Sequence, residues 1–215
     1  MRETEIVSLQ RQHLLPELPT EFRQHNTLLY KAPVGLVLQG FDFDRSSYDK
    51  RAVAVFCFVQ PLYIPNDHLW FNFGDRLRDL ETNRDWWVVP ETNPETVMRS
   101  IAQVMRVRGL EFLAKYQGPA DLAGWRVGLD NPNNAEGVAY SKLLKGDVNG
   151  ARRSLASLMM LATSDEVGGR PWVGEIASRA GRVSAALEQD LEAAKALLVS
   201  WRAETVSRLG LGDTS

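Results

Sequence analysis

The sequence contains very little of the chemistry that disulfides and most metal centres require. Cys57 is the only cysteine among 215 residues, and there are only 3 histidines. A lone cysteine forms no intramolecular disulfide and cannot by itself supply a thiolate metal site. Cys57 also lies between Phe56 and Phe58 in the most apolar segment of the chain. Because an apolar setting raises a thiol pKa, we expect an inert core residue there.

Long apolar runs and strongly charged regions are absent as well. No stretch approaches the roughly 18 consecutive apolar residues that a membrane-spanning helix needs. Residues 1–5 include Glu3 and Glu5, where a secretory signal would have a basic and then an apolar run. The formal net charge is −2, and neither half of the chain is strongly basic. These features predict a cytoplasmic protein that binds neither a membrane nor a nucleic acid.

The common cofactor and catalytic motifs are also missing. The sequence has no glycine-rich dinucleotide fingerprint, no phosphate-binding loop, no Gly-x-Ser-x-Gly elbow, no His-Glu-x-x-His and no Cys-x-x-Cys. We therefore expect no bound cofactor.

Hydrophobic patterning predicts a helix and then strands in the first half of the chain. Ile6, Leu9, His13 and Leu14 recur at helical spacing before Pro16 and Pro19. Apolar runs then predict about five strands, at residues 27–30, 35–43, 52–59, 69–73 and 85–89. Because the connections between them are short, the pattern favours an antiparallel sheet.

From Thr92 onward the apolar residues recur at helical spacing. The pattern predicts a helix that ends at Gly118, a helical hairpin around Gly146 and Asp147, and one long last helix. That last helix carries an apolar stripe composed of Leu187, Leu191, Ala194, Leu198 and Trp201. Strands grouped before helices indicate the α+β class. We predict an α+β region at 1–118 and a helical region at 119–215, and leave open whether they pack as one domain.

Two carboxylates stand on one predicted strand, where Phe41, Asp42, Phe43 and Asp44 alternate. Alternation places both phenylalanines on one face and both carboxylates on the other. The ordinary interpretation is a sheet with one solvated face. The alternative is a metal-dependent hydrolase, in which Asp42, Asp44, Asp67, His68 and Asp75 converge on a divalent cation.

Residues 66–68 read Asn-Asp-His and follow Pro65. A histidine beside an aspartate could act as a base with an orienting acid. We favour an Asx-type turn, since adjacent residues rarely orient each other in that way.

Aromatic residues are concentrated near the ends of two predicted strands. Trp86 and Trp87 should point to opposite faces, so that one indole lies in the core and the other is accessible to a partner. Trp70 lies in an aromatic run that has no basic residue before Arg76. The candidate partner contacts are therefore Trp70, Trp86, Trp87, Asp42 and Asp44.

The chain resembles bacterial α+β proteins of the immunity or antitoxin kind. The resemblance rests on residues 58–65 (Phe-Val-Gln-Pro-Leu-Tyr-Ile-Pro), on residues 74–77 (Gly-Asp-Arg-Leu) and on the predicted hairpin around Gly146 and Asp147. It implies a cytoplasmic, non-enzymatic protein that binds and blocks another protein, such as a toxin. A third hypothesis is a structural subunit that self-associates through its C-terminal helix.

Overall fold

The computed structural model of the chain describes residues 1–166 and 168–211. These residues confirm the predicted α+β class: an N-terminal helix, an antiparallel sheet and a helical second half. The strands are β1 (Phe22–His25), β2 (Leu28–Lys31), β3 (Val37–Arg45), β4 (Ala52–Pro61), β5 (Phe73–Arg76) and β6 (Trp87–Val88). The α-helices are α1 (Glu3–Leu9), α2 (Glu95–Val104), α3 (Leu110–Lys115), α4 (Pro119–Leu122), α5 (Pro132–Lys145), α6 (Val148–Ala162), α7 (Pro171–Gln189) and α8 (Leu191–Arg208).

The sheet is built around β4. Its strands lie in the order β1-β2-β3-β4-β5, and β6 also pairs with β4. β4 is apolar on both faces, as the sequence predicted, and nearly all of it is buried. In the antiparallel register of β4 with β5, Phe56 lies opposite Arg76 and Cys57 opposite Asp75. Because side chains alternate along a strand, this register places Phe56 and Arg76 on the same face of the sheet.

The other face of β4 carries Cys57, which contacts the helical segment that follows the sheet. The Cys57 thiol is buried and donates a hydrogen bond to the Gly109 carbonyl at 3.4 Å. Gly109 is the last residue of a π-helical turn, Met105–Gly109, that joins α2 to α3. Burial raises the pKa of the Cys57 thiol. The prediction of a core cysteine is confirmed.

One strand prediction was wrong in its bounds, and one strand was missed. Residues 69–72 lie in a loop, and the strand begins only at Phe73. This loop is rich in aromatic side chains that pack on neighbouring rings, and such a run resembles a buried strand in the sequence. The other error is β1, which the sequence did not predict. It exposes Arg23 and His25 and buries only Phe22, so it shows no apolar run.

The hairpin around Gly146 and Asp147 is confirmed. Gly146 ends α5 with a left-handed φ of 87°, a conformation that favours glycine. The Asp147 carboxylate accepts a hydrogen bond from the Gly150 amide at 2.9 Å and caps α6.

The single long last helix was a wrong prediction, because the chain forms α7 and α8 instead. Asp190 is extended, and its carboxylate accepts a hydrogen bond from the Ala193 amide at 2.6 Å. A short acidic side chain competes with the helix for backbone donors in this way. The apolar stripe nevertheless contributes to the core, since Leu187, Ala194, Leu198 and Trp201 are all buried.

The chain divides into two compact units. The sheet unit contains Met1–Gln60 and Trp70–Gln117, and the helical unit contains Pro61–Leu69 together with residues from 118 to 211. The division into domains at 118/119 stays a prediction. In the part of the chain that the structure describes, no helix has both the length and the apolar character needed to cross a bilayer.

Candidate functional site

Arg76 occupies the centre of a cluster on the sheet unit. Its guanidinium carbon lies 5.0 Å from the ring centroid of Phe56 and 5.0 Å from that of Trp86. Phe56 is the cross-strand neighbour of Arg76, whereas Trp86 stands immediately before β6. Each contact is within the range of a cation–π interaction. The guanidinium therefore contacts one aromatic ring from β4 and one from the residue that precedes β6.

Two carboxylates neutralise the same guanidinium. Arg76 forms ion pairs with Asp44 at 3.7 Å and with Asp85 at 3.5 Å. The side chains of Arg76, Asp44 and Asp85 are 34%, 51% and 36% exposed. Partly exposed ion pairs and cation–π contacts each stabilise a fold by only about 0–1 kcal/mol. The main consequence of this network is geometric: it holds the Arg76 and Trp86 side chains in one orientation at the surface.

Phe71 extends the aromatic part of the cluster. Its ring stacks on Phe56 with centroids 4.8 Å apart, and it meets Phe58 edge-on at 4.9 Å. Phe56 and Phe71 are half-buried. We call the set Asp44, Phe56, Phe71, Arg76, Asp85 and Trp86 the Arg76 surface.

The loop that carries Asp85 and Trp86 is held by Asp79. The Asp79 carboxylate accepts hydrogen bonds from the Ser100 hydroxyl of α2 at 2.6 Å and from the Thr82 amide at 2.8 Å. These two hydrogen bonds hold the pKa of Asp79 well below its usual range. The loop is thus anchored to a helix, which helps to explain how two loop residues reach Arg76.

Asp42 and Asp44 share a strand face, but their surroundings differ. Asp44 pairs with Arg76. Asp42 is half-buried and accepts a hydrogen bond from the Thr27 hydroxyl at 2.9 Å. Burial raises the pKa of the Asp42 carboxyl, and the nearby charge of Asp44 raises it further. Within the Arg76 surface itself, two carboxylates accompany one guanidinium, so the set has one negative charge in excess.

The three candidate tryptophans have separate roles. Trp87 is only 6% exposed, while Trp86 is half-buried, so the pair divides between the core and the surface as predicted. Trp70 packs edge-on against Phe73, with centroids 5.9 Å apart. The buried indole nitrogens of Trp70 and Trp87 have no hydrogen-bond partner among the described residues. Only Trp86 belongs to the Arg76 surface.

The remaining candidate metal ligands do not share this environment. The Asp67 carboxylate contacts His68 Nδ1 at 2.8 Å on an exposed segment of the helical unit. The hydrogen bond from His68 lowers the pKa of Asp67. Both side chains are exposed, and the Asn66 side chain accepts a hydrogen bond from the Asp67 amide at 3.0 Å, so the Asx-type turn stays a prediction. Asp75 follows the alternation of β5 onto the face opposite to Arg76.

A metal centre requires several ligands around one point, and the alternative hypothesis of a hydrolase depends on such a cluster. Within residues 1–166 and 168–211, no three side chains of histidine, cysteine, aspartate or glutamate are grouped so as to hold an ion. The described geometry gives the metal-dependent hydrolase no supporting observation.

A groove with a volume of about 360 Å³ lies between α2 and the π-helical turn Gln10–Leu14. Its two arginines are already paired: Arg99 contacts Glu95 and Arg106 contacts Glu17, each at 2.7 Å. Each of these guanidiniums has one carboxylate, so the paired charges of the groove balance, whereas the Arg76 surface has one carboxylate in excess.

The sequence patterns indicated Asp44 and Trp86 but not Phe56, Phe71, Arg76 and Asp85. The local pattern around Phe56 indicates only a buried strand. Its role depends on pairing with β5, which brings Arg76 opposite. Alternation in β5 would have supplied the signal, had the strand been placed at Phe73–Arg76.

Comparisons with known proteins found no relative of the chain. Protein-family models, curated proteins and solved structures were each searched with the chain, and none of the three searches found a match.

Proposed function

We propose that the chain is a non-enzymatic cytoplasmic protein of the immunity or antitoxin kind, and that its Arg76 surface binds a basic partner protein. The observation that carries the proposal is the Arg76 guanidinium held between Phe56 and Trp86 and paired with Asp44 and Asp85. Tryptophan, tyrosine and arginine dominate the energetics of protein interfaces. Here arginine and tryptophan adjoin on a partly exposed surface.

The geometry favours binding because the side chains are already ordered. Ordering a long side chain on association costs about 0.5–1.5 kcal/mol, so a surface that is fixed beforehand loses less. Asp44, Asp85 and Phe56 restrain Arg76 in this way, and Arg76 in turn contacts Trp86.

The charge of the surface selects the kind of partner. Asp44 and Asp85 outnumber Arg76, so lysine or arginine side chains of a partner would be electrostatically complementary. A basic face is also what a toxin that acts on nucleic acid would carry. We therefore propose a partner of that class.

The test is photo-crosslinking in the organism that encodes the chain. A photoreactive amino acid replaces Trp86 in one variant and Trp172 in a matched control, since Trp172 is also a partly exposed tryptophan (38%) but lies in the helical unit. We expect one discrete adduct at position 86, containing a basic protein that binds the purified chain, and no such adduct at position 172.

Three outcomes would contradict the proposal. They are no adduct at position 86, the same adducts at both positions, and an adduct that contains only a second copy of the chain. The last outcome would favour the self-associating subunit.

A further inference from the structure

A closed loop ends immediately before Asp85 and Trp86. The Asp79 amide donates a hydrogen bond to the Arg84 carbonyl at 2.8 Å, and the Asn83 amide donates one to the Asp79 carbonyl at 3.0 Å. Asn83 has a left-handed φ of 56°, a conformation that asparagine adopts more readily than most residues. Main-chain hydrogen bonds therefore bring the two ends of this loop together.

The two carboxylate oxygens of Asp79 have different partners. Oδ1 accepts hydrogen bonds from within the loop: from the Thr82 amide at 2.8 Å, the Thr82 hydroxyl at 2.9 Å and the Glu81 amide at 3.1 Å. Oδ2 accepts the hydrogen bond from the Ser100 hydroxyl of α2 at 2.6 Å. Oδ1 thus stabilises the loop internally, whereas Oδ2 connects the loop to a helix. In the described part of the chain, no other hydrogen bond joins residues 79–84 to an α-helix.

Asp85 lies between two attachments of the main chain. On one side is the closed loop with its hydrogen bond to Ser100. On the other side is β6, where Trp87 pairs with Val53 of β4. The Asp85 carboxylate itself forms an ion pair with Arg76 at 3.5 Å. Because β6 restrains the chain from Trp87 onward, loss of the Ser100 hydrogen bond would act on Asp85 more than on the strand.

We propose that Ser100 is a positioning residue for the Arg76 surface: by holding the Asp79 loop on α2, it fixes Asp85, whose carboxylate helps to select a basic partner. The inference rests on the proposed function of that surface. A side chain that is ordered before binding loses less conformational entropy on association. Without the Ser100 hydroxyl, every residue of the surface is still present, but Asp85 is less restrained. The expected consequence is weaker binding of the partner.

Fluorine NMR of the free chain, labelled with 5-fluorotryptophan, tests the positioning without any partner. The resonance of Trp86, which directly follows Asp85, is identified by its loss in Trp86→Phe. Ser100→Ala should shift or broaden this resonance, and the variant should fold because alanine favours a helix. Ser157→Ala is the matched control, since it removes a hydroxyl from α6 that donates a hydrogen bond to the Arg153 carbonyl at 3.0 Å. It should leave the Trp86 resonance unchanged. An unchanged Trp86 resonance in Ser100→Ala would overturn the inference.

A double-mutant cycle then tests whether Ser100 acts through Asp85. The Kd of the partner crosslinked at position 86 is measured by calorimetry for Ser100→Ala, for Asp85→Asn and for the double variant. Each single variant should raise the Kd about threefold or more, and the double variant no further than Asp85→Asn alone.

Two results of the cycle would count against different claims. Fold-changes that multiply in the double variant would show that Ser100 acts independently of Asp85, and would overturn the inference. If Asp85→Asn and Trp86→Ala both leave the Kd unchanged, the proposed function fails instead. The Trp86 resonance alone then decides whether Ser100 positions this surface.

Discussion

Replacing Glu136 with glutamine should lower the free energy of unfolding by about 3 kcal/mol or more, the expected loss when one partner of a buried ion pair is removed. The Glu136 carboxylate is fully buried. It accepts hydrogen bonds from Nε and Nη2 of Arg179, each at 2.8 Å, and from the Tyr140 hydroxyl at 3.0 Å. The substitution leaves Arg179, whose side chain is only 18% exposed, without its buried counter-ion.

The ionisation of the pair follows from burial and mutual attraction. Burial raises the pKa of Glu136, which the hydrogen bonds and charge of Arg179 oppose. Burial also disfavours the charged form of Arg179, but the hydrogen bonds and charge of Glu136 outweigh it and raise the pKa of Arg179. Both tendencies reflect one fact: each charge is tolerated in the interior because the other is present.

Glu175→Gln is the matched control. Glu175 lies 4.0 Å from the same arginine, but its side chain is 76% exposed. An exposed pair contributes at most about 1 kcal/mol, so urea denaturation should show little change for this variant. If Glu136→Gln and Glu175→Gln had equal midpoints and slopes, the buried pair would not stabilise the helical unit as argued.

The second large effect should come from Gly109→Ala in the sheet unit. A Cβ at this position would lie 2.3 Å from Cε1 and 2.8 Å from Cζ of Phe41. Phe41 is fully buried and stacks on Phe22, with centroids 5.8 Å apart, so its ring has little room to move. Overpacking of this kind costs about 1–3 kcal/mol. We expect the loss to lie at the upper end of that range.

Gly181→Ala should have the opposite effect on the free energy of unfolding. Gly181 lies inside α7, and a Cβ there would meet nothing within 4 Å. Alanine should therefore stabilise the chain by up to about 1 kcal/mol through helix propensity. Thermal denaturation of the two variants measures the difference. A stabilised Gly109→Ala variant would show that the π-helical turn can move away from Phe41.

The sequence predicted elements that depend on local patterns. The apolar run of β4 and the Gly146–Asp147 hairpin are examples, because their signals lie within a few residues. It missed the break at Asp190, where a capping carboxylate interrupts a continuous apolar stripe. A short polar side chain can either face solvent or end a helix, and the periodicity does not distinguish these outcomes.

The candidate site was only partly predictable for a related reason. Asp44 and Trp86 lie about forty positions apart in the sequence and are connected through Arg76. That connection requires the β4–β5 register and the Asp79 contact to Ser100, both of which join distant segments. Residue types indicated an accessible tryptophan and an acidic strand face. Only the pairing of the strands showed that the same guanidinium contacts both.

The claim that the Arg76 surface binds a partner is tested most directly by calorimetric titration of the crosslinked partner with two purified variants, after circular dichroism confirms that both fold. Trp86→Ala should raise the Kd at least about tenfold, as expected for a central interface tryptophan. Trp172→Ala should leave the Kd unchanged within about twofold. Equal affinities of both variants and the unmodified chain would contradict the proposed role of this surface.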